Sequence, residues 1–447
     1  MRFVIIGGVA AGMSAASKLK RLRSDVQIDV YEQGEDVSYG ACGMPYYLSD
    51  VIKDADSLIA RSAQAFQKRG VNVHTNHKVL RVHPDKKEVL VRTPKQVEIR
   101  VPYDSLLVAS GASAIRLDVP GRANENIHKL NSLQDARMLK EALHRKNVRK
   151  VAVVGGGYIG IEVAEALVEL NKDVRLVERE DRILPGFDED IAEVVKDALQ
   201  EAGVKLYLGE TLNAYEEREN SVSLRTDASS IDADLVVEAV GVRPNTDFLA
   251  HTDIKRLANG AIEVNDKMET SVDSIYAAGD CASVPHRITK RSAYIPLGTH
   301  ANKCGRVVAH QIAGEDKRFE GVVGSTVLKA LSLEAAKTGI GKREAEEAGL
   351  SIDSVTIDAP SHAGYYPGMK KMKVKVFYNP DNCRLLGAQM VGEKGVAHRI
   401  NVMAAALHAN MAADEFAGLD LAYAPPFSPV WDPLQIACNQ IKCEKTN

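Results

Sequence analysis

Residues 3–22 read FVIIGGVAAGMSAASKLKRL, and the way this stretch folds decides the rest of the chain. Its first four residues, FVII, form a short apolar run that suits a buried strand. Two glycines break the run, and the residues beyond them suit a helix. The pattern is strand, glycine turn, helix. Gly7 makes the tight turn, and Gly12 lets helix and strand pack closely. Backbone N–H groups opening such a helix face an anion at the positive end of its dipole, so a pyrophosphate suits the turn. The usual middle glycine of G-x-G-x-x-G is replaced by Val9, with Gly8 before it. Twenty residues beyond Gly12, the next strand, VQIDVYE, ends at Glu32, an acid placed for a ribose hydroxyl pair.

The unit recurs. VRKVAVVGGGYIGIEVAEAL, residues 148–167, carries Gly155, Gly157 and Gly160 in the full spacing. Its following strand, DVRLVERE, ends at a second acid, Glu178. One such glycine turn is weak evidence, whereas two complete strand–turn–helix–strand–acid units imply two dinucleotides. Glu178 would repel a 2′-phosphate and so favours NADH. Arg179 and Arg182 stand close enough in sequence to pair with one, which keeps NADPH open.

The chain's 447 residues suggest two or three domains. A formal net charge of −3 does not indicate a strongly basic nucleic-acid surface. No apolar run approaches the ~20 residues that span a bilayer. The opening MRFVIIGGVAAG looks like the apolar core of a signal peptide, but reads better as a buried strand entering a turn. A cytoplasmic protein is expected, with no membrane or nucleic-acid partner. Six cysteines are scattered without a CxxC pair, so neither a zinc ribbon nor a thioredoxin-type dithiol is indicated. Cys281, Cys304 and Cys383 are expected as reduced, buried, inert thiols. Cys438 and Cys443, near the C-terminus, are expected nearer the surface, with nothing beside them to mark reactivity.

Two further segments extend the picture. YDSLLVASGA (103–112) is an apolar strand closing on Ser110 and Gly111, and SVDSIYAAGDCASV (271–284) is a strand running into Gly279 and Asp280. Both resemble the FAD-contacting motifs of flavoprotein reductases with two dinucleotide-binding domains, and VVEAVGVRPNTDFL (236–249) is similar to the strand closing their NAD domain. The resemblance implies an α/β fold. Two Rossmann-like domains, for FAD and NAD(P), would be followed by a C-terminal α+β dimerisation domain. It implies a split FAD domain (1–115 and 251–325), an inserted NAD(P) domain (116–250) and a dimerisation domain (326–447). It implies FAD contacts at Gly7, Gly8, Ala10, Ala11, Gly12, Glu32, Gln33, Val79, Ser110, Gly111, Gly279 and Thr299. Asp280 would bind the ribityl hydroxyls. NADH or NADPH would meet Gly155, Gly157, Tyr158, Ile159, Gly160, Glu178 and Gly241. In the C-terminal part, KVKVFYNPDNCRLLGAQMVG (373–392) reads as a hairpin turning at Asn379–Asn382, followed by the helix GVAHRINVMAAALHANM. A homodimer with shared active sites is implied.

The segment VSYGACGMPYY (37–47) then acquires a meaning. Dithiol reductases of the glutathione type carry a CxxxxC pair and a C-terminal histidine from the partner. Here Cys42 has no second cysteine nearby, and no histidine follows His408. Single-cysteine peroxidases and oxidases carry a histidine where the first turn has Ala10. SYGACGMPY resembles most closely the coenzyme A disulfide reductase group, with its persulfide- and polysulfide-reducing relatives. That resemblance implies that Cys42 is a catalytic thiol which takes up half of a coenzyme A disulfide as a Cys–S–S–CoA mixed disulfide. The flavin and a helix start are expected to lower its pKa. With no histidine, Tyr423 and one of Tyr365 and Tyr366 are the proton donors implied. Coenzyme A contacts are implied at Ser14, Lys18, Arg21, Ser38 and Arg69. The alternatives are a coenzyme A persulfide or polysulfide reductase, or an NADH oxidase reducing oxygen. The sequence runs 24 residues past Tyr423, so the rhodanese domain often fused to persulfide reductases is not expected, which counts mildly against that alternative; coenzyme A disulfide is the expected acceptor.

Overall fold

In the computed structural model, which describes residues 1–219 and 221–443, the opening stretch is strand Arg2–Ile6 running into helix Ala10–Leu22. Phe3, Val4 and Ile5 are fully buried. A strand buried on both faces belongs inside a parallel sheet, and this one is central. The sheet orders Ile275–Ala277, Ser105–Val108, Arg2–Ile6, Gln27–Tyr31 and Val71–His74, all parallel. Its topological switch falls between Arg2–Ile6 and Ser105–Val108, where a ligand crevice opens at the carboxyl ends of the strands.

The second unit repeats the first. Its parallel sheet orders Lys205–Leu208, Asp173–Glu178, Lys150–Val154, Leu235–Glu238 and Ile127–Lys129. Each sheet carries its own three-stranded antiparallel meander, built from Lys78–His83, Glu88–Arg92 and Glu98–Pro102 in one and from Leu212–Glu217, Val222–Thr226 and Ser230–Ala233 in the other. Gly7 and Gly155 share the left-handed region at φ 104° and 110°. A Cβ on either would strike a backbone carbonyl of the neighbouring strand's loop, Ala109 in one case and Ala239 in the other. Only glycine satisfies both constraints.

The C-terminal part is an antiparallel sheet ordered Thr326–Ala330, Leu333–Gly339, Leu385–Gly392, Lys371–Tyr378 and Asp353–Pro360. Lys371–Tyr378 and Leu385–Gly392 form the expected hairpin, and helix Val396–His408 follows. Its own core holds Val374, Val376, Met390, Ile400, Met403 and Phe416. Among the described residues no helix is long and apolar enough to cross a membrane.

The cysteines depart from expectation in two places. Cys383 is not a reduced thiol: it forms a disulfide with Cys443, which clips the chain's end to the hairpin turn across 60 residues of sequence. Cys438 is buried at 2% exposure, because helix Pro433–Asn439 folds back onto the C-terminal core. Cys281 and Cys304 are buried as expected. The bridged pair yields a countable prediction. Unreduced, denatured protein should alkylate at four thiols, and at six after reduction. Cys383→Ser should lower the thermal midpoint by a few degrees, since cross-linking a loop of this length is worth about 2–4 kcal/mol.

Candidate active site

The two glycine turns hold their acids alike. Gly8 N–H donates to Glu32 Oε2 at 2.7 Å and Gly34 N–H to Oε1 at 2.7 Å. In the second unit Gly156 N–H donates to Glu178 Oε2 at 2.6 Å and Glu180 N–H to Oε1 at 2.9 Å. Both carboxylates are thereby fixed at the rim of a turn, where a ribose would lie. Gly8, the glycine out of step with the usual spacing, therefore orients the acid.

A cleft of about 2150 Å³ opens at the first switch point. Gly7, Ala10, Ala11, Glu32, Gln33 and Val79 line one end. Ser110, Gly111, Gly279, Asp280 and Thr299 line the middle, with Cys42 on the wall. Gly12 is buried against the turn, where a Cβ would strike the Gly7 carbonyl. Asp280 supplies a direct test of the expected flavin. Burial raises its carboxyl pKa, and among the described residues its side chain accepts no hydrogen bond. A desolvated acceptor aimed into the cleft calls for a hydroxyl donor, which a ribityl chain provides. The donor set and the extended cleft fit FAD. Ser110 is locked beside it by Asn245, through Ser110 Oγ–H to the Asn245 carbonyl (2.6 Å) and Asn245 Nδ2 to the Ser110 carbonyl (2.9 Å).

Cys42 sits in a 3-10 turn, Ala41–Gly43, that leads into the short helix Met44–Leu48 with Pro45 in its first turn. The segment is held from both sides. Ser38 N–H donates to the Gly8 carbonyl and Gly40 N–H to the Leu58 carbonyl, each at 2.9 Å. Helix Leu133–Leu143 grips its ends, Arg137 on Asp36 and Lys140 on the Tyr47 carbonyl (2.7 Å). Cys42 itself is open to the cleft.

On balance the chain's own groups raise the Cys42 pKa, although a backbone N–H at the thiol works the other way. Loss of water round the cleft wall raises it most, followed by the negative charges of Glu162 and Asp280. The Met44–Leu48 helix is one turn long and too slight to offset them. Sequence reading passed over Glu162, which lies on the first turns of helix Tyr158–Glu169 and whose carboxyl is pushed up to about 7 by burial. The position is legible as the acid two residues past Gly160, but nothing in its spacing marks it as facing Cys42.

Of the residues expected to meet the nucleotide, Gly155, Gly157, Ile159 and Gly160 form the turn and the start of helix Tyr158–Glu169, Gly241 lies in the loop whose Ala239 carbonyl approaches Gly155, and Tyr158 packs against Phe187 at 6.0 Å between ring centres. Arg179 pairs with Glu180 at 2.9 Å, and Arg182 lines a small pocket together with Arg343, Glu344 and Glu347. Among the described residues neither arginine forms an ion pair with Glu178.

None of the five expected coenzyme A contacts lines the cleft. Ser14, Lys18 and Arg21 share one face of helix Ala10–Leu22, and Ser14 is hydrogen-bonded to Asn302, which does line it. Ser38 is four residues before Cys42, and Arg69 precedes Gly70, which lies against Lys20. Helix Gly298–Ile312 adds two cleft-lining cations that sequence reading missed, Lys303 and Arg306. Of the tyrosines, Tyr365 and Tyr423 share a hydrogen bond, Oη to Oη at 2.9 Å, with exposures of 77% and 43%. That bond raises the Tyr423 pKa. Tyr366 turns the other way, edge-on to the buried His362.

The site therefore defines a two-dinucleotide oxidoreductase with one thiol on the wall of the first cleft. The family model described as pyridine nucleotide-disulphide oxidoreductase matches residues 1–301, and that of the family's dimerisation domain matches residues 327–433. The chain belongs to this family, whose members use FAD and NAD(P)H. It is 39% identical to an NAD(P)H sulfur oxidoreductase (CoA-dependent) of Pyrococcus abyssi, over 98% of each chain. It is 32% identical to the coenzyme A disulfide reductase of Staphylococcus aureus, over 96% of each. The structure of an NAD-dependent persulfide reductase from A. fulgidus superposes with a TM-score of 0.95 at 35% identity, covering 98% of this chain and 82% of that one.

In protein freed of FAD, the Cys42 alkylation rate should keep rising with pH above the ordinary thiol range. Glu162→Gln removes a nearby negative charge and should move that profile to lower pH. An unmoved profile would show that Glu162 does not act on the thiol.

Proposed function

We propose that the protein is an NAD(P)H-dependent flavoprotein that reduces coenzyme A disulfide through Cys42. The observation carrying this reading is a lone thiol, open on the wall of a cleft fit for FAD, with no second cysteine lining that cleft among the described residues. When bound, FAD supplies a two-electron relay from NAD(P)H to the Cys42 sulfur. We assign the FAD site to residues 1–115 and 251–325, the nucleotide site to 116–250, and subunit pairing to 326–447.

The Cys42 thiolate attacks one sulfur of the disulfide. The bond Cys42–S–S–CoA forms as the S–S bond of the substrate breaks, and one coenzyme A thiolate leaves. The leaving sulfur needs a proton. The Tyr365–Tyr423 pair is the donor we favour, reaching the cleft of a second copy. Both phenols are exposed, and Phe427, Val430 and Trp431 beside them form an apolar surface at 77%, 68% and 57% exposure. A second subunit covering that surface accounts for it. Two electrons then release the second coenzyme A as a thiolate and restore Cys42. The phosphates of coenzyme A would meet Lys18, Arg21 and Arg69 outside the cleft and Lys303 and Arg306 at its wall.

A second reading keeps every residue and changes the acceptor to sulfane sulfur on coenzyme A. The 39% identity to a CoA-dependent sulfur oxidoreductase favours it. Product analysis separates the two, since only the second liberates hydrogen sulfide. Cys42→Ser should lower turnover with either acceptor by about 10³-fold or more while NADH still bleaches the flavin at the wild-type rate. Disulfide reduction that survives the substitution would refute the mixed-disulfide route. With Glu178 held by two backbone N–H groups and Arg179 paired with Glu180, NADH should outperform NADPH at equal concentration.

A further inference from the structure

Tyr365 and Tyr423 lie on two irregular loops, 58 residues apart in sequence, yet their phenol oxygens meet at 2.9 Å. One direct backbone bond joins the loops, from Ala363 N–H to the Pro425 carbonyl at 3.3 Å. The stronger link is a buried guanidinium. Arg399, on the helix Val396–His408 and 8% exposed, donates from one nitrogen, Nη2, to the Ser361 carbonyl (3.0 Å) and the Phe427 carbonyl (3.2 Å). Each carbonyl lies four residues from its tyrosine. Nε donates to Asp432 at 2.7 Å and Nη1 to the Gly395 carbonyl at 3.1 Å. Asp432 in turn caps helix Pro433–Asn439 through Leu434 N–H, at 3.0 Å. Gly395, at φ 83°, leaves the space: a Cβ there would strike Arg399 Nη1.

We propose that Arg399 is the positioning residue of the tyrosine pair, setting the separation of the two phenols by gripping both of their loops. This rests on the reading that the pair protonates the leaving thiolate. Lysine, one point charge with no planar fork, cannot hold four acceptors in these directions. The grip acts on the step that needs a proton and leaves hydride uptake alone.

The test compares Arg399→Lys, Tyr423→Phe and the double variant in the FAD-loaded protein, with coenzyme A disulfide as substrate. Arg399→Lys should cut kcat about tenfold or more, and NADH-driven flavin bleaching should stay within about twofold of wild type. The double variant should turn over no more slowly than Tyr423→Phe alone, because a pair already lacking its phenol gains nothing from positioning. Asp432→Asn, which keeps the shape and three of the four Arg399 bonds, should show a smaller loss with the same non-additivity, and serves if Arg399→Lys does not fold. Losses that multiply in the double variant, or wild-type kcat in both Arg399→Lys and Asp432→Asn, would overturn the proposal. Wild-type turnover in Tyr423→Phe would overturn the proton-donor reading itself, and the positioning role with it.

Discussion

Everything in the molecule depends on a short bond made twice: a turn N–H, Gly8 or Gly156, held by the carboxylate at the end of the next strand, Glu32 or Glu178. The bond joins the first strand's turn to the second strand's tip. It fixes the mouth of each parallel sheet, and with it the place where a dinucleotide can lie. The close packing under each turn reinforces it, since Gly12 and Gly160 press against the carbonyls of Gly7 and Gly155. A side chain larger than hydrogen at Gly7 or Gly155 would push the neighbouring strand away and open the switch point.

Cys42 inherits its position from that bond. Ser38, four residues upstream, donates to the carbonyl of Gly8, the glycine whose N–H holds Glu32. The Glu32 end of the cleft and the Cys42 thiol are thus tied together by one braced segment. The surrounding chain opposes ionisation of the thiol through desolvation, Glu162 and Asp280. For the nucleophile proposed above, activation is left to what the cleft binds or to a second subunit.

The glycine turns, the acids, the strand–helix order and the C-terminal hairpin were legible because each is written within some 30 contiguous residues. What escaped reading is what only the third dimension brings together. Cys383 and Cys443 are 60 positions apart, and neither has a neighbour that marks a pair. Lys303 and Arg306 line the cleft from a helix whose own sequence shows no phosphate motif. Tyr365 and Tyr366 are adjacent in sequence and indistinguishable there. The turn closed by Tyr366 N–H on the Ala363 carbonyl (2.9 Å) sends Tyr366 towards His362 and leaves Tyr365 free to meet Tyr423. Gly8 looked like a defect in a motif, and proves to be the donor that holds the acid.

In the proposed cycle Cys42 carries half of the substrate disulfide between flavin and product. An anaerobic reductive titration of the FAD-loaded enzyme, first exposed to coenzyme A disulfide and then desalted, tests it most directly. The account predicts two two-electron equivalents per subunit to bleach the flavin fully, with one coenzyme A thiol released, and a single equivalent with no thiol released for Cys42→Ser. One equivalent and no released thiol in the wild type would contradict it.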